Sequence, residues 1–271
     1  MGSLLALIQR WKRWLVKVVG VILGSNESER VLLLAKKVLA VERDGAHLRA
    51  VQAQCAFAIE AYAGVLQAVD AQNGIAAVSL GRTLFEAVVS AVILAKHVEK
   101  LEDFKNHGKL TTFQMARSVP PASRFDSPGS KKFVDDTKTE YAALQAYFRP
   151  TGNWHLLKNS DAFAEAELPE NFRGRYYIRV SAIAHGHPFP VVQQFDMESK
   201  DWKIQAEPEE WRRWAEKEHV MSMLLMLHMI ERLSSVFALG LESEIASVRQ
   251  QIWGIAEQQM RDFLRPPQFT Y

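Results

Sequence analysis

The sequence predicts an all-α protein, a multi-helix bundle that begins with an amphipathic N-terminal helix. Alanine, leucine and glutamate, which favour helices, are abundant throughout the 271 residues. The 14 glycines and 10 prolines cluster at a few breaks, and the segments between those breaks carry apolar residues at helical spacing. A composition of 48% hydrophobic and 24% charged residues is typical of a globular protein.

The first 24 residues form the predicted amphipathic helix. Charges in the middle of this segment disfavour a signal peptide, and its length and charge disfavour a transmembrane span. We interpret it as a helix that packs on the body or on a second copy of the chain, which predicts a homo-oligomer. Peripheral membrane or partner-protein contact through residues 1–23 is the alternative. Its basic side is formed by Arg10, Lys12, Arg13 and Lys17, and its apolar side by Leu4, Ile8, Trp11, Leu15, Val18 and Ile22.

Residues 25–265 form a single predicted helical domain, followed by a tail over residues 266–271. Asn26 and Glu29 match a capping box, Asn73-Gly74 ends one helical pattern, and Gly240 follows another. Proline and glycine predict a loop over 118–130, and residues 188–206 are expected to be extended, with a short strand at 191–195. Helices are predicted over 27–71 with a break at 44–45, over 75–99, from there to 117, over 131–148, from Pro169 to the 185–190 turn, over 208–239 and over 242–264.

Charge and cysteine content narrow the classes of function. The net charge is +2, but removing the four basic residues of 1–23 from the 33 in the chain leaves 29, against 31 acidic ones. A broad nucleic-acid-binding surface is normally basic, so contact with RNA must depend on a local patch. The single cysteine, Cys55, excludes a disulfide within the chain and indicates a cytoplasmic location. We interpret it as a buried hydrophobe.

Two polar stripes interrupt apolar helices. Arg82 and Glu86 lie one turn apart, and Tyr177, Ser181 and His185 repeat every fourth residue on another helix. Ionisable groups among apolar side chains are costly unless paired. The first stripe is therefore either a structural ion pair or a charged group directed at a pocket. The serine and histidine suggest nucleophilic catalysis, but the strand–turn–helix elbow of serine hydrolases is missing.

The histidines near the second stripe are candidate metal ligands. Metal ligation by His185 and His187 with Glu86 or His155 lacks the spacing of known metal motifs, so neither a metal nor another cofactor is predicted.

Residues 172–179 place basic side chains next to aromatic ones. This pattern suits single-stranded RNA, through phosphate charge and base stacking. A solvated helix face with buried tyrosines is the alternative. The residues are Arg173, Arg175 and Arg179 beside Tyr176 and Tyr177.

These motifs resemble those of an uncharacterised bacterial all-α family, over roughly residues 30–240. The family has an Arg-x3-Glu helix, then a tryptophan-containing segment, then a Tyr-x3-Ser-x3-His motif and a long helix. The corresponding residues are Arg82 and Glu86, Trp154, then Tyr177, Ser181 and His185, and the helix from Pro208.

More distantly, the chain is similar to HEPN-like helical domains. Many of these are metal-independent ribonucleases of bacterial toxin–antitoxin and phage-defence systems, and they usually dimerise. Their signature is an arginine followed, after four to six residues, by a histidine. In an unbroken helix six residues turn by about 240°, so Arg179 would face away from His185 unless the helix ends near Ala184 or Arg82 supplies the charge. The matching pairs are Arg179 with His185, Arg149 with His155, and Arg212 or Arg213 with His219.

The resemblance implies a HEPN-like ribonuclease or toxin-type effector. His185 would act as general acid or base on the ribose 2′-hydroxyl and the leaving oxygen, and Arg179 or Arg82 would stabilise the phosphorane. Ser181 and Tyr177 would position the phosphate, and Glu86 would orient Arg82 or His185. A non-catalytic binding or regulatory protein is the alternative function. Expected substrate-binding residues are Arg175, Tyr176, Trp154 and His187.

Overall fold

The computed structural model describes residues 26–41, 45–118, 140–170, 172–185 and 208–264. Within these ranges the chain is helical and contains no strand, which confirms the all-α prediction. The predicted N-terminal helix, the strand at 191–195 and the tail lie outside the described residues. The helices are α1 (Asn26–Leu39), α2 (Ala46–Asp70), α3 (Gly74–Lys96), α4 (Leu101–Ser118), α5 (described over 140–148), α6 (Asn159–Glu165), α7 (Tyr177–Ala184), α8 (Pro208–Phe237) and α9 (Glu242–Leu264).

Helix α3 lies at the centre of the bundle. It packs against α2 and α8 along most of its length and carries α7 on another side, while α1 and α9 cover α8. Within the described residues, α3 and residues 212–237 of α8 are long and apolar enough to cross a membrane. Those apolar windows are 67% and 78% buried inside the protein, so core packing accounts for their composition.

Most of the expected helix boundaries are confirmed. α2 begins directly after Gly45, at the expected break, and Asn73 caps α3 by accepting a hydrogen bond from the Ala76 backbone N–H at 3.0 Å. Gly240, at φ +67°, turns the chain between α8 and α9, in the left-handed region that glycine adopts without strain. α3 ends at Lys96 rather than Glu99, and a 3₁₀ turn over Val98–Lys100 leads into α4.

The region before α7 differs from the expectation of one continuous helix. α6 was not predicted, because Lys158 before it makes no side-chain cap that a sequence pattern would show. The backbone N–H groups of Phe172 and Arg173 bond to the Pro169 carbonyl, so the next helical turn does start at this proline. A π-turn over Phe172–Tyr176 follows, and the Phe172 and Tyr176 rings meet edge to face in the core, with centroids 5.4 Å apart.

Candidate functional site

The two polar stripes meet where the end of α7 lies against α3. α7 ends at Ala184, and His185 is its C-terminal cap. Arg82, 103 residues earlier in the chain, donates from Nη1 to Nε2 of His185. The same guanidinium donates from Nε and Nη2 to Oε1 of Glu86, at 3.0 and 2.8 Å. Arg82, Glu86 and His185 therefore form one cluster, which we call the Arg82 cluster.

The contact with Arg82 sets the hydrogen-bonding role of the His185 ring. A guanidinium has only donors, so Nε2 of His185 is the acceptor in this contact and the ring proton lies on Nδ1. The Arg82 side chain is 19% exposed and that of Glu86 52%, while His185 lies at the surface. Because the Glu86 carboxylate is half exposed to water, the contribution of the pair to stability is small, and an incoming anion can compete with Glu86 for the guanidinium.

Tyr177 and Ser181 lie on the same helix but make different contacts. The Tyr177 ring packs against Phe85 and Phe163, with centroids 5.0 and 4.7 Å away. Its hydroxyl accepts a hydrogen bond from Asn159 Nδ2 at 3.3 Å, which ties α7 to α6. The half-buried Ser181 accepts the His185 backbone N–H through its carbonyl, at 3.0 Å. Tyr177 thus anchors α7, and the Ser181 carbonyl holds the backbone of His185 at the end of the helix.

The other expected site residues are dispersed. The Arg179 guanidinium lies 4.6 Å from the centre of the Trp214 ring, on α8. Trp154 is 9% exposed and donates from Nε1 to Ser90 Oγ at 3.2 Å, and Tyr176 is fully buried. Both rings are therefore held in core packing. His187 and the side chain of Arg175 lie outside the described residues.

The three histidines of the arginine–histidine signature differ in burial. His155 is 7% exposed, and burial lowers its pKa to about 4. His219 is half-buried and bonds through Nε2 to Ser28 Oγ at 2.7 Å, and burial lowers its pKa as well. Of these three, His185 alone is exposed and beside an arginine that contacts it.

A buried carboxyl group that sequence reasoning missed lies against Gly81, the residue before Arg82. Glu218 of α8 is 3% exposed and accepts hydrogen bonds from the hydroxyls of Tyr176, at 2.5 Å, and Ser222, at 3.3 Å. Burial raises the pKa of Glu218 to about 8, against the opposing effects of the Tyr176 hydrogen bond and the Arg179 charge. The carboxyl is therefore mostly protonated at neutral pH.

The signal for this group was present in the sequence. Glu218 shares one helix face with Ala215, Ser222 and Leu225, at offsets of three, four and seven residues, and all four are buried. A glutamate in that register is expected in the core.

The cluster gives no support to metal ligation. Arg82 bonds to both Glu86 and His185, so a cation of the protein already lies between these two candidate ligands. His155 Nδ1 accepts the Leu157 backbone N–H at 3.1 Å. In the part of the chain that the structure describes, no group of three or more metal-ligating side chains occurs.

Comparisons with protein-family models, curated proteins and solved structures find no match for this chain.

Proposed function

We propose that the protein is a HEPN-like, metal-independent ribonuclease that acts in the cytoplasm as the effector of a bacterial toxin–antitoxin or defence system. The observation that supports the proposal is the contact between Arg82 and His185. It joins a permanent cation to an exposed imidazole, from two helices that are distant in the chain. Metal-independent cleavage of a phosphodiester can use such a pair, the imidazole for proton transfer and the cation for the charge that develops on the phosphate.

In the proposed reaction a phosphate of the RNA backbone displaces Glu86 and His185 from Arg82. Nε2 of His185 then accepts the proton of the ribose 2′-hydroxyl, whose oxygen forms a bond to phosphorus. The bond from phosphorus to the 5′-oxygen breaks, and that oxygen takes the proton back from the imidazolium. The products are a 2′,3′-cyclic phosphate and a 5′-hydroxyl. Arg82 stabilises the charge on the pentacovalent phosphorus.

The exposed position of the cluster favours a polymeric substrate. Small-molecule sites are concave and enclose most of their ligand, whereas His185, at the C-terminal end of α7, and Glu86 of α3 are both exposed. A single strand can lie across such a surface, with its phosphate at Arg82. Because the body is slightly acidic, we expect binding to be local and sensitive to salt.

The direct test is incubation of total RNA and tRNA with the purified protein in EDTA. We expect cleavage that leaves 2′,3′-cyclic phosphate ends, and we expect His185→Ala to abolish it with the fold intact by circular dichroism. His107→Ala is the matched control, because this half-buried histidine of α4 bonds to the Gly152 carbonyl, apart from the cluster. Cleavage that persists in His185→Ala would refute the assignment.

The second candidate is a non-catalytic binding or regulatory protein that docks through residues 1–23. It is favoured by the fact that Nε, Nη1 and Nη2 of Arg82 all have partners within the protein, as in a structural network. This candidate predicts no cleavage of RNA under any condition. It also predicts that removal of residues 1–23 alters sedimentation or liposome flotation, and an unchanged result in both would eliminate it.

A further inference from the structure

The carboxyl of Glu218 fits into a notch on α3 that only glycine provides. A Cβ added to Gly81 would lie 1.8 Å from Oε1 of Glu218 and 3.1 Å from the Tyr176 hydroxyl. Both groups therefore rest against the backbone of the residue that precedes Arg82. This three-way contact joins α3, α8 and the π-turn in front of α7.

Tyr176 is well placed to control the position of α7. It is the last residue of the π-turn and directly precedes the eight-residue helix whose cap is His185. Phe85 of α3 contacts the rings of both Tyr176 and Tyr177, with centroids 6.0 and 5.0 Å away. A helix is rigid over the roughly 13 Å from Tyr176 to His185. Rotation or sliding at the buried end is therefore transmitted to His185.

Filling this buried space with a carboxyl group is unfavourable in free energy. Burial of a polar pair is less favourable than burial of well-packed hydrophobic side chains of similar volume. The hydrogen bond from Tyr176 to Glu218 is directional. Because the Tyr176 hydroxyl must reach one carboxyl oxygen at 2.5 Å, α7 can pack against α3 in only one register. Apolar packing alone tolerates several registers.

We propose that Glu218 and Tyr176 are a positioning pair, which sets the register of α7 on α3 and so keeps His185 within reach of Arg82. Neither residue touches the substrate in this arrangement. The catalytic consequence of the pair rests on the proposed ribonuclease activity, whereas its effect on the contact between Arg82 and His185 does not.

The test uses ¹⁵N NMR of the His185 ring, which reports its tautomer whether or not the protein cleaves RNA. In the wild type we expect an Nδ1–H tautomer with an accepting Nε2. Tyr176→Phe, which keeps the ring but removes the donor, should shift His185 towards a mixture of tautomers. Glu218→Gln, which keeps an uncharged acceptor for Tyr176, should retain the wild-type signal.

The control variant is Ser28→Ala, which removes another hydrogen bond to α8 at a site away from α7. It should lower stability and leave the His185 signal unchanged. If Tyr176→Phe is destabilised like this control but keeps the His185 tautomer, the pair only strengthens the fold and the proposal is overturned. Glu218→Met, which removes the acceptor of Tyr176 and keeps a side chain of similar length, is the second variant if Tyr176→Phe does not fold, and a wild-type His185 tautomer in it would likewise overturn the proposal.

Cleavage assays separate this proposal from the proposed function. If the protein cleaves RNA, Tyr176→Phe should lower kcat about 10- to 100-fold with little change in KM, whereas Glu218→Gln should keep most of the wild-type rate. If no variant cleaves RNA, the tautomer experiment still decides whether the pair positions His185.

Discussion

Replacement of Glu218 by glutamine should remove a large part of the pH dependence of stability. The pKa of this carboxyl is 4.5 in an unfolded chain and about 8 in the fold. Between pH 4.5 and pH 8 the folded protein binds more protons than the unfolded chain, so Glu218 lowers the free energy of unfolding increasingly as pH rises. A shift from 4.5 to about 8 corresponds to a total of about 5 kcal/mol.

The window for the measurement follows from the same shift. Between pH 5 and pH 8 the wild type should lose roughly 3 kcal/mol of its free energy of unfolding through Glu218, and Glu218→Gln should lose none through this position. Urea unfolding of both proteins at each pH unit, followed by circular dichroism, gives the difference directly. Titration of other groups cancels in that difference.

The matched control is Glu216→Gln, two residues away on the same helix. Glu216 is exposed and pairs at 3.5 Å with the equally exposed Arg212. The stability of this variant should run parallel to that of the wild type across the window. If the Glu218→Gln profile also runs parallel to the wild type, Glu218 is not a buried neutral carboxyl, and the reasoning from its burial fails.

Three further outcomes are expected. Arg82→Gln should abolish RNA cleavage, because it removes the positive charge, yet change the free energy of unfolding by only about 1 kcal/mol, because the Glu86 carboxylate of the pair is 52% exposed; urea unfolding and a cleavage assay check this. Gly81→Ala should destabilise by about 1–3 kcal/mol or more in urea unfolding, since its Cβ meets Glu218 at 1.8 Å. His155→Gln should reduce the loss of free energy of unfolding below pH 6.5, as measured by urea unfolding. The wild-type imidazole has a pKa of about 4 in the fold and 6.5 in the unfolded chain, so the unfolded chain binds a proton there that the fold does not. The same decrease in stability below pH 6.5 in both proteins would contradict this.

The sequence predicts the helices well because local rules govern their ends. Asn73 before α3, Gly45 before α2 and Gly240 after α8 are each found at the expected boundary. α6 and the π-turn were missed for a physical reason. α6 has seven residues and no side-chain cap, and the π-turn is stabilised by burial of Phe172 and Tyr176 rather than by a local pattern.

The candidate site was predictable in its parts but not in its assembly. Spacing places Arg82 beside Glu86, and this pair is present at 2.8 Å. The contact from Arg82 to His185 spans 103 residues and depends on where the π-turn directs α7, which no local rule specifies. Arg179 was an equal candidate by spacing, and its position over Trp214 follows from packing against α8.

Burial decides between matches that the arginine–histidine signature treats as equal. A general acid or base must reach the substrate and exchange protons with it, so its imidazole has to be accessible. His155, with a pKa lowered to about 4, is held neutral in the core, and His219 bonds to Ser28. His185 follows the last residue of α7 and is exposed. It contacts Arg82, whose positive charge can bind a phosphate. The site hypothesis therefore depends on one histidine, and His185→Ala is its decisive variant.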